Sequence, residues 1–200
     1  MYSGSMMKLN LLLALALAAS YASAAPKFAS HCKGGETTYF NCAVKDGSKV
    51  VSLCGKDEDG ARSYLQYRYG TPRQPLELVY PPAIRDAAMG ETFFFDSYVE
   101  KDGSQTETGV WFEHDNTYYK LRFGVNHGLG GQLTTSESAI LMWAGVPSGA
   151  PRSLLCKQTH GGDNLSTASG LIRDMSPKGR VWKMSPLDVH YQPKPQPTSD

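Results

Sequence analysis

Five histidines, His31, His114, His127, His160 and His190, are the side chains best suited to proton transfer or metal ligation. None stands at a ligand spacing such as H-x-x-x-H, so no metal site is expected, and His114 beside Asp115 reads as a turn. A serine hydrolase would usually carry a G-x-S-x-G elbow, which the chain lacks. Scattered residues could still converge in space, and His127, His160 and Asp163 are the one group that could serve a hydrolase as a hydrogen-bonded relay. Gly128-Leu129-Gly130-Gly131 lacks the strand-to-helix setting of a phosphate cradle, and there is no G-x-G-x-x-G or Walker sequence, so no cofactor is expected. Trp111, Tyr118, Trp143 and Trp182 could form an aromatic platform for sugar or peptide, although such residues more often pack in a core or across strands. Arg68 and Glu77 read as a structural ion pair.

The four cysteines are Cys32, Cys42, Cys54 and Cys156, with no C-x-x-C pair, a pattern of two disulfides rather than a zinc ribbon or redox site. Asp46-Gly47 reads as a two-residue hairpin turn that sets Lys45 opposite Ser48 and Cys42 opposite Val51. Counting along, Cys54 falls opposite Tyr39, on the other face from Cys42. A Cys42–Cys54 bond is therefore disfavoured. Phe40, Cys42, Val44, Val51 and Leu53 share the apolar face, which favours Cys42 with Cys156 across the core and Cys32 with Cys54 at its edge. Cys32 with Cys42 remains an alternative.

The elements that must position these residues are short strands. Glycine at 20 and proline at 12 residues, with 11 tyrosines, favour strands and turns over long helices. Tyr64–Pro81 reads as a hairpin around Gly70, Pro72 and Pro75, with Tyr69 facing Leu76, Tyr67 facing Leu78, Leu65 facing Tyr80, and Arg68 opposite Glu77. Thr92–Val99 reads as a strand. Val110–His114 and Thr117–Phe123 form a further hairpin around Asp115-Asn116, with Phe112 facing Tyr119 and Trp111 facing Lys120. Gly124–Ser138 carries four glycines and reads as a long surface loop, within which Asn126, His127, Gly128, Leu129, Gly130 and Gly131 are the candidate contact residues. Ala139–Val146 and Ser153–Cys156 read as the last strands. Asp163 can cap a short helix from about Asn164 to Asp174.

The expected fold is all-β, an antiparallel sandwich or partly closed barrel of about eight to ten strands with one short C-terminal helix. Lys45-Asp-Gly-Ser48 recurs as Lys101–Ser104, and Tyr64-Leu-Gln-Tyr-Arg-Tyr-Gly70 is echoed by Tyr118-Tyr-Lys-Leu-Arg-Phe-Gly124. The echoes fit either two related four-strand halves or recurrent turn chemistry.

Lys8, the apolar run Leu11–Ala19 and Ala22-Ser23-Ala24 form a secretory signal peptide over residues 1–24. Residues 25–184 then make a single β-rich domain, and 185–200 a proline-rich disordered tail. Cleavage removes Lys8 and no acid, so 20 basic groups fall to 19 against 19 acidic ones. A neutral balance argues against nucleic acid as a partner, and no mature stretch is long and apolar enough to span a bilayer.

Phe40-Asn-Cys42, Lys49-Val-Val-Ser-Leu-Cys54, Tyr64–Gly70, Glu77-Leu-Val-Tyr-Pro81 and Leu155-Cys156 together resemble an uncharacterised family of exported proteobacterial proteins. The resemblance covers most of residues 36–156 and implies export, but brings no activity with it. Likeness to the small periplasmic lysozyme inhibitors is at class level only, since Ser148-Gly149 is followed by Ala150, Pro151 and Arg152 rather than by their S-G-x-x-Y loop. The expectation is therefore a periplasmic or secreted non-enzymatic binding protein, inhibitor-like in character, whose partner is a protein or an envelope polymer. The alternative is a hydrolase acting on such a polymer.

Overall fold

The computed structural model describes residues 29–58, 63–84, 92–128, 131–160 and 164–175. The expected signal peptide, the expected proline-rich tail, Trp182 and His190 lie outside the described residues. Nine strands and one helix follow in order: β1 (Thr37–Val44), β2 (Val50–Lys56), β3 (Tyr64–Gly70), β4 (Leu78–Tyr80), β5 (Phe94–Val99), β6 (Gln105–His114), β7 (Thr117–His127), β8 (Leu133–Ala144), β9 (Arg152–His160) and α1 (Leu165–Met175).

All strand pairs are antiparallel, and the sheet order is β4-β3-β2-β1-β9-β8-β7-β6-β5. Two meanders, β1–β4 and β5–β9, are thus joined where β9 returns beside β1. The sheet curls on itself rather than splitting into a sandwich. Tyr67 of β3 meets Phe112 of β6 at 4.8 Å between ring centroids, although these strands stand near opposite ends of the order. The result is a half-barrel whose concave face carries Phe40, Leu53, Leu65, Tyr67, Phe112, Leu121 and Ile140. Among the described residues β4 and β5 remain unpaired edges, and side chains bridge between them: Tyr80 lies edge-on to Phe93 at 6.1 Å and stacks on Phe112 at 4.9 Å.

The helix fills the concave side because Leu165, Ala168, Leu171 and Ile172 recur at helical spacing and are all buried. It packs on β6, β1, β3 and β5. Asn164 opens it, its carbonyl accepting from Ala168 N at 3.1 Å, while Asp163, the expected cap, lies outside the described residues. No helix among the described residues is long and apolar enough to cross a membrane.

Two expected registers hold and one moves. Cys42 faces Val51, and a bulge at Tyr39 sets Thr38 rather than Tyr39 beside Cys54 and brings both Tyr39 and Phe40 into the core. Asp46 alone takes a left-handed conformation in a four-residue connection, Lys45–Ser48, closed by Val44 N donating to Lys49 O at 3.0 Å. Phe112 faces Tyr119 and Trp111 faces Lys120 as expected, across a turn in which both Asp115 and Asn116 have positive φ. In the β3–β4 hairpin, however, Tyr67 faces Tyr80, Arg68 faces Val79 and Tyr69 faces Leu78. This two-residue shift keeps each side chain on its expected face but separates Arg68 from Glu77. Glu77 instead meets Lys49 at 2.6 Å, and Arg68 turns to Glu36.

Residues 124–138 also differ from expectation. Gly124–His127 extend β7 and Leu133–Ser138 open β8, paired from Gly124–Glu137 to His127–Leu133, so the loop shrinks to a hairpin tip. Tight β-pairing with polar Thr and Ser outweighed the low apolar content.

The cysteines pair as Cys32–Cys54 and Cys42–Cys156, with sequence separations of 22 and 114. Two disulfides in one small domain point to an oxidising, non-cytoplasmic environment. Loop-closure entropy assigns about 3 kcal/mol to the shorter link and about 5 kcal/mol to the longer. Urea unfolding of C32A/C54A and C42A/C156A should therefore show the larger loss in the second variant.

Candidate functional site: a pocket walled by an N-terminal strap

Behind the apolar residues of β1–β3, the alternate positions are polar: Asn41, Ser52, Gln66 and Arg68. All are buried, because residues 29–36 cross that outer face as a strap. Asn41 Nδ2 donates to Ala29 O at 3.0 Å, His31 N donates to Ser52 Oγ at 3.0 Å, and Ser52 Oγ donates to Asn41 Oδ1 at 2.7 Å. The His31 ring donates from Nε2 to the Gly70 carbonyl at 3.1 Å. Cys32–Cys54 then ties the strap covalently to β2.

Glu36 ends the strap and engages Arg68 through both carboxylate oxygens, at 2.6 Å from Nη1 and 2.7 Å from Nη2, with both side chains only 2 % exposed. Tyr64 Oη donates to Glu36 Oε1 at 2.6 Å, and Lys33 N donates to Glu36 Oε2 at 2.5 Å. Arg68 also donates from Nη1 to His31 O at 2.7 Å and from Nε to Gln66 Oε1 at 2.8 Å, and Gln66 Nε2 continues the chain to Pro81 O at 2.8 Å. Burial alone would raise the Glu36 pKa, but the hydrogen bonds from Arg68, Tyr64 and the Lys33 N–H, with the guanidinium charge, outweigh it and hold it at about 2. Burial and the bond to Glu36 push the Tyr64 phenol up to about 12.

This network floors an open pocket of about 600 Å³, within the usual range for small-molecule sites. His31 and Lys33 form its strap side, Gln66 and Arg68 its floor, and Leu76, Val79 and Pro82–Ile84 its far wall. The wall lies on and just beyond β4, the short edge strand, so the pocket opens at the margin of the sheet. Donor atoms of Cys32, Glu36 and Cys54 lie within 4.8 Å of one another, yet the two sulfurs are bonded together and the carboxylate is saturated by Arg68, which leaves no ligand set for a metal in the oxidised protein.

The outer face of β5–β8 is closed differently. Asp96, Lys120, Glu107, Arg122 and Glu137 form a continuous ladder across four strands, with links of 2.9, 2.6, 2.5 and 2.9 Å. Burial raises the Glu107 pKa, but Lys120 and Arg122 outweigh it and hold the carboxyl below its ordinary value. Lys120 crosses directly above Gly109, where a Cβ would come within 2.3 Å of both Lys120 Cε and Asp96 Oδ1. Its ammonium lies 4.7 Å from the centroid of the Trp111 ring. Trp111 stacks on Trp143 at 5.2 Å, both are buried, and Trp143 Nε1 donates to Gly149 O at 3.2 Å. Of the four aromatic residues, Trp111 and Trp143 thus form an internal stack and Tyr118 is half-buried across from Trp143, the core and cross-strand packing that such residues more often adopt.

The candidate contact residues do not reach the strap pocket. Asn126 and His127 end β7, Asn126 Nδ2 donates to Thr135 Oγ1 at 2.9 Å, and Gly128 and Gly131 shape the hairpin tip, while Leu129 and Gly130 lie outside the described residues. His160 belongs to β9, where its backbone pairs with Asn41, but its side chain and Asp163 lie outside the described residues. The residues that sequence reasoning missed are His31, Lys33 and Glu36. A signal for them existed: Cys54 points away from the core, so a Cys32–Cys54 bond must draw residue 32 and its neighbours over the outer face.

Fold and pocket together define a class of protein, an antiparallel half-barrel around one helix with a ligand-sized basin on its outside. No family model matches the chain, and no curated protein or solved structure matches it significantly.

Two measurements check this geometry. Because the Glu36 pKa is depressed in the folded state, its pairing stabilises fully above about pH 4.5 and is lost as pH falls toward about 2. E36Q should therefore flatten the stability curve across that window and, by leaving Arg68 buried and unpaired, cost about 3–5 kcal/mol at pH 7. G109A should cost about 1–3 kcal/mol in urea unfolding, since Lys120 and Asp96 must give way.

Proposed function

We propose that the protein is an exported, non-enzymatic binding protein of the cell envelope, periplasmic or secreted, that takes a ligand or a projecting part of its partner into the strap pocket. The observation that carries this reading is the way the pocket is built. A disulfide and a buried ion pair fix the strap onto the sheet, so the basin is preorganised before anything enters it, and preorganisation lowers the cost of binding. Glu36, which holds the Arg68 of the floor, is committed to that guanidinium and stays ionised to about pH 2, which suits a fixed scaffold and not a proton donor. The signal-peptide pattern of residues 1–24 and the resemblance to exported proteobacterial proteins support the envelope setting.

The test is affinity capture from periplasmic extract and, separately, on purified cell-wall polymer, with oxidised protein spanning residues 25–200. A83W, which fills the pocket from an exposed position, is the control. A partner retained near stoichiometry by the native protein and at least tenfold less by A83W is the expected outcome. Equal retention by both would remove the pocket from the account, and shortening of the polymer during incubation would replace binding with hydrolysis.

A further inference from the structure

The charges around the pocket are unevenly spent. Arg68 and Glu36 neutralise one another, and both carboxylate oxygens already accept two hydrogen bonds each. Lys33 has no acidic partner among the described residues and is exposed at the strap side of the basin. One uncompensated cation therefore faces a wall of Leu76, Val79, Pro82, Ala83 and Ile84.

Resting on the binding reading above, we propose that the pocket takes an amphipathic monocarboxylate, its single negative charge against Lys33 and its apolar body along the Leu76–Ile84 wall. A neutral apolar ligand would desolvate the ammonium without compensation, and a cationic one would be repelled. A phosphate dianion would bring two charges to one cation, and the Arg68 fork that could grip it bidentately is already occupied by Glu36. A carboxylate matches the charge and needs only the Lys33 ammonium. Such a group could come from a fatty acid or from a peptide C-terminus with apolar last residues.

Titration calorimetry of the oxidised protein, residues 25–200, separates these cases with four probes: decanoate, decanol, the acetylated tripeptide Gly-Leu-Leu with a free carboxylate, and the same tripeptide amidated. At least one carboxylate should bind about tenfold or more tighter than its neutral counterpart, with affinity falling as salt rises. K33M should remove that difference by weakening the carboxylate probe and not the neutral one, whose binding should hold or tighten, and K33R should keep it. Because Lys33 is exposed and its side chain joins no clamp, these variants should fold as the native chain does. A preference for decanoate or for the peptide names the source, and either supports the proposal. No measurable binding of either carboxylate, equal binding of the neutral probes, or unchanged carboxylate binding by K33M would overturn it. If a partner is still captured in a manner sensitive to A83W, the binding reading stands and only the carboxylate assignment falls.

Discussion

The Glu36–Arg68 ion pair is the interaction on which the outer half of this molecule depends. Taking two charges out of water costs several kcal/mol per ion, and only good geometry with every remaining donor and acceptor satisfied offsets it. Here the fork is bidentate and the carboxylate gains two further donors, Tyr64 Oη and Lys33 N, while Arg68 spends its other bonds on His31 O and Gln66. Such a pair adds little net stability compared with apolar packing, where each fully buried large side chain contributes about 1.5–3 kcal/mol. Its effect is positional. It sets where residues 31–36 lie on β3, and the Gln66 to Pro81 bond carries that placement to the segment after β4, so both banks of the pocket are referred to one guanidinium.

The inside of the half-barrel works by a different rule. Phe112 stacks on Tyr119 at 4.7 Å and on Tyr80 at 4.9 Å, and Tyr67 closes against it, so one aromatic group on β6 joins β3, β4 and β7. Ring packing thereby draws the two ends of an open sheet together without a ladder of hydrogen bonds. The repeated sequence pieces fall on equivalent places in the two meanders: the Lys-Asp-Gly-Ser turns join β1 to β2 and β5 to β6, and the two tyrosine-rich runs form β3 and β7. Arg68 and Arg122 hold the same place in those runs, and both turn outward to acids. Arg122 stays within its own ladder, meeting Glu107 and Glu137, whereas Arg68 draws in the strap and lines the pocket beside it.

Alternation made much of this legible. The apolar positions of β1, β2, β6 and β7 follow period two closely enough to set faces and most registers, and the same count placed Cys54 apart from Cys42. Residues 64–81 show where that logic stops. A two-residue slip leaves every side chain on its face, so patterning cannot distinguish the registers, and the choice fell to Arg68 finding Glu36, a partner 32 residues distant. Polar alternation on β1–β3 set the outward face of Asn41, Ser52, Gln66 and Arg68 but not what covers it, and Cys54, on that same face, was the local sign of the strap. The glycine-containing segment 124–138 looked like a loop because its strands are polar on both sides near the tip.

Amide hydrogen exchange at the strap tests the central claim most directly. In the oxidised protein at neutral pH, the His31 N–H, bonded to Ser52 Oγ, and the Lys33 N–H, bonded to Glu36, should exchange with protection approaching that of the β2 core amides. Exchange of those two amides at the rate of an unstructured chain would contradict the account, since the strap would then not be clamped and the pocket would have no fixed wall.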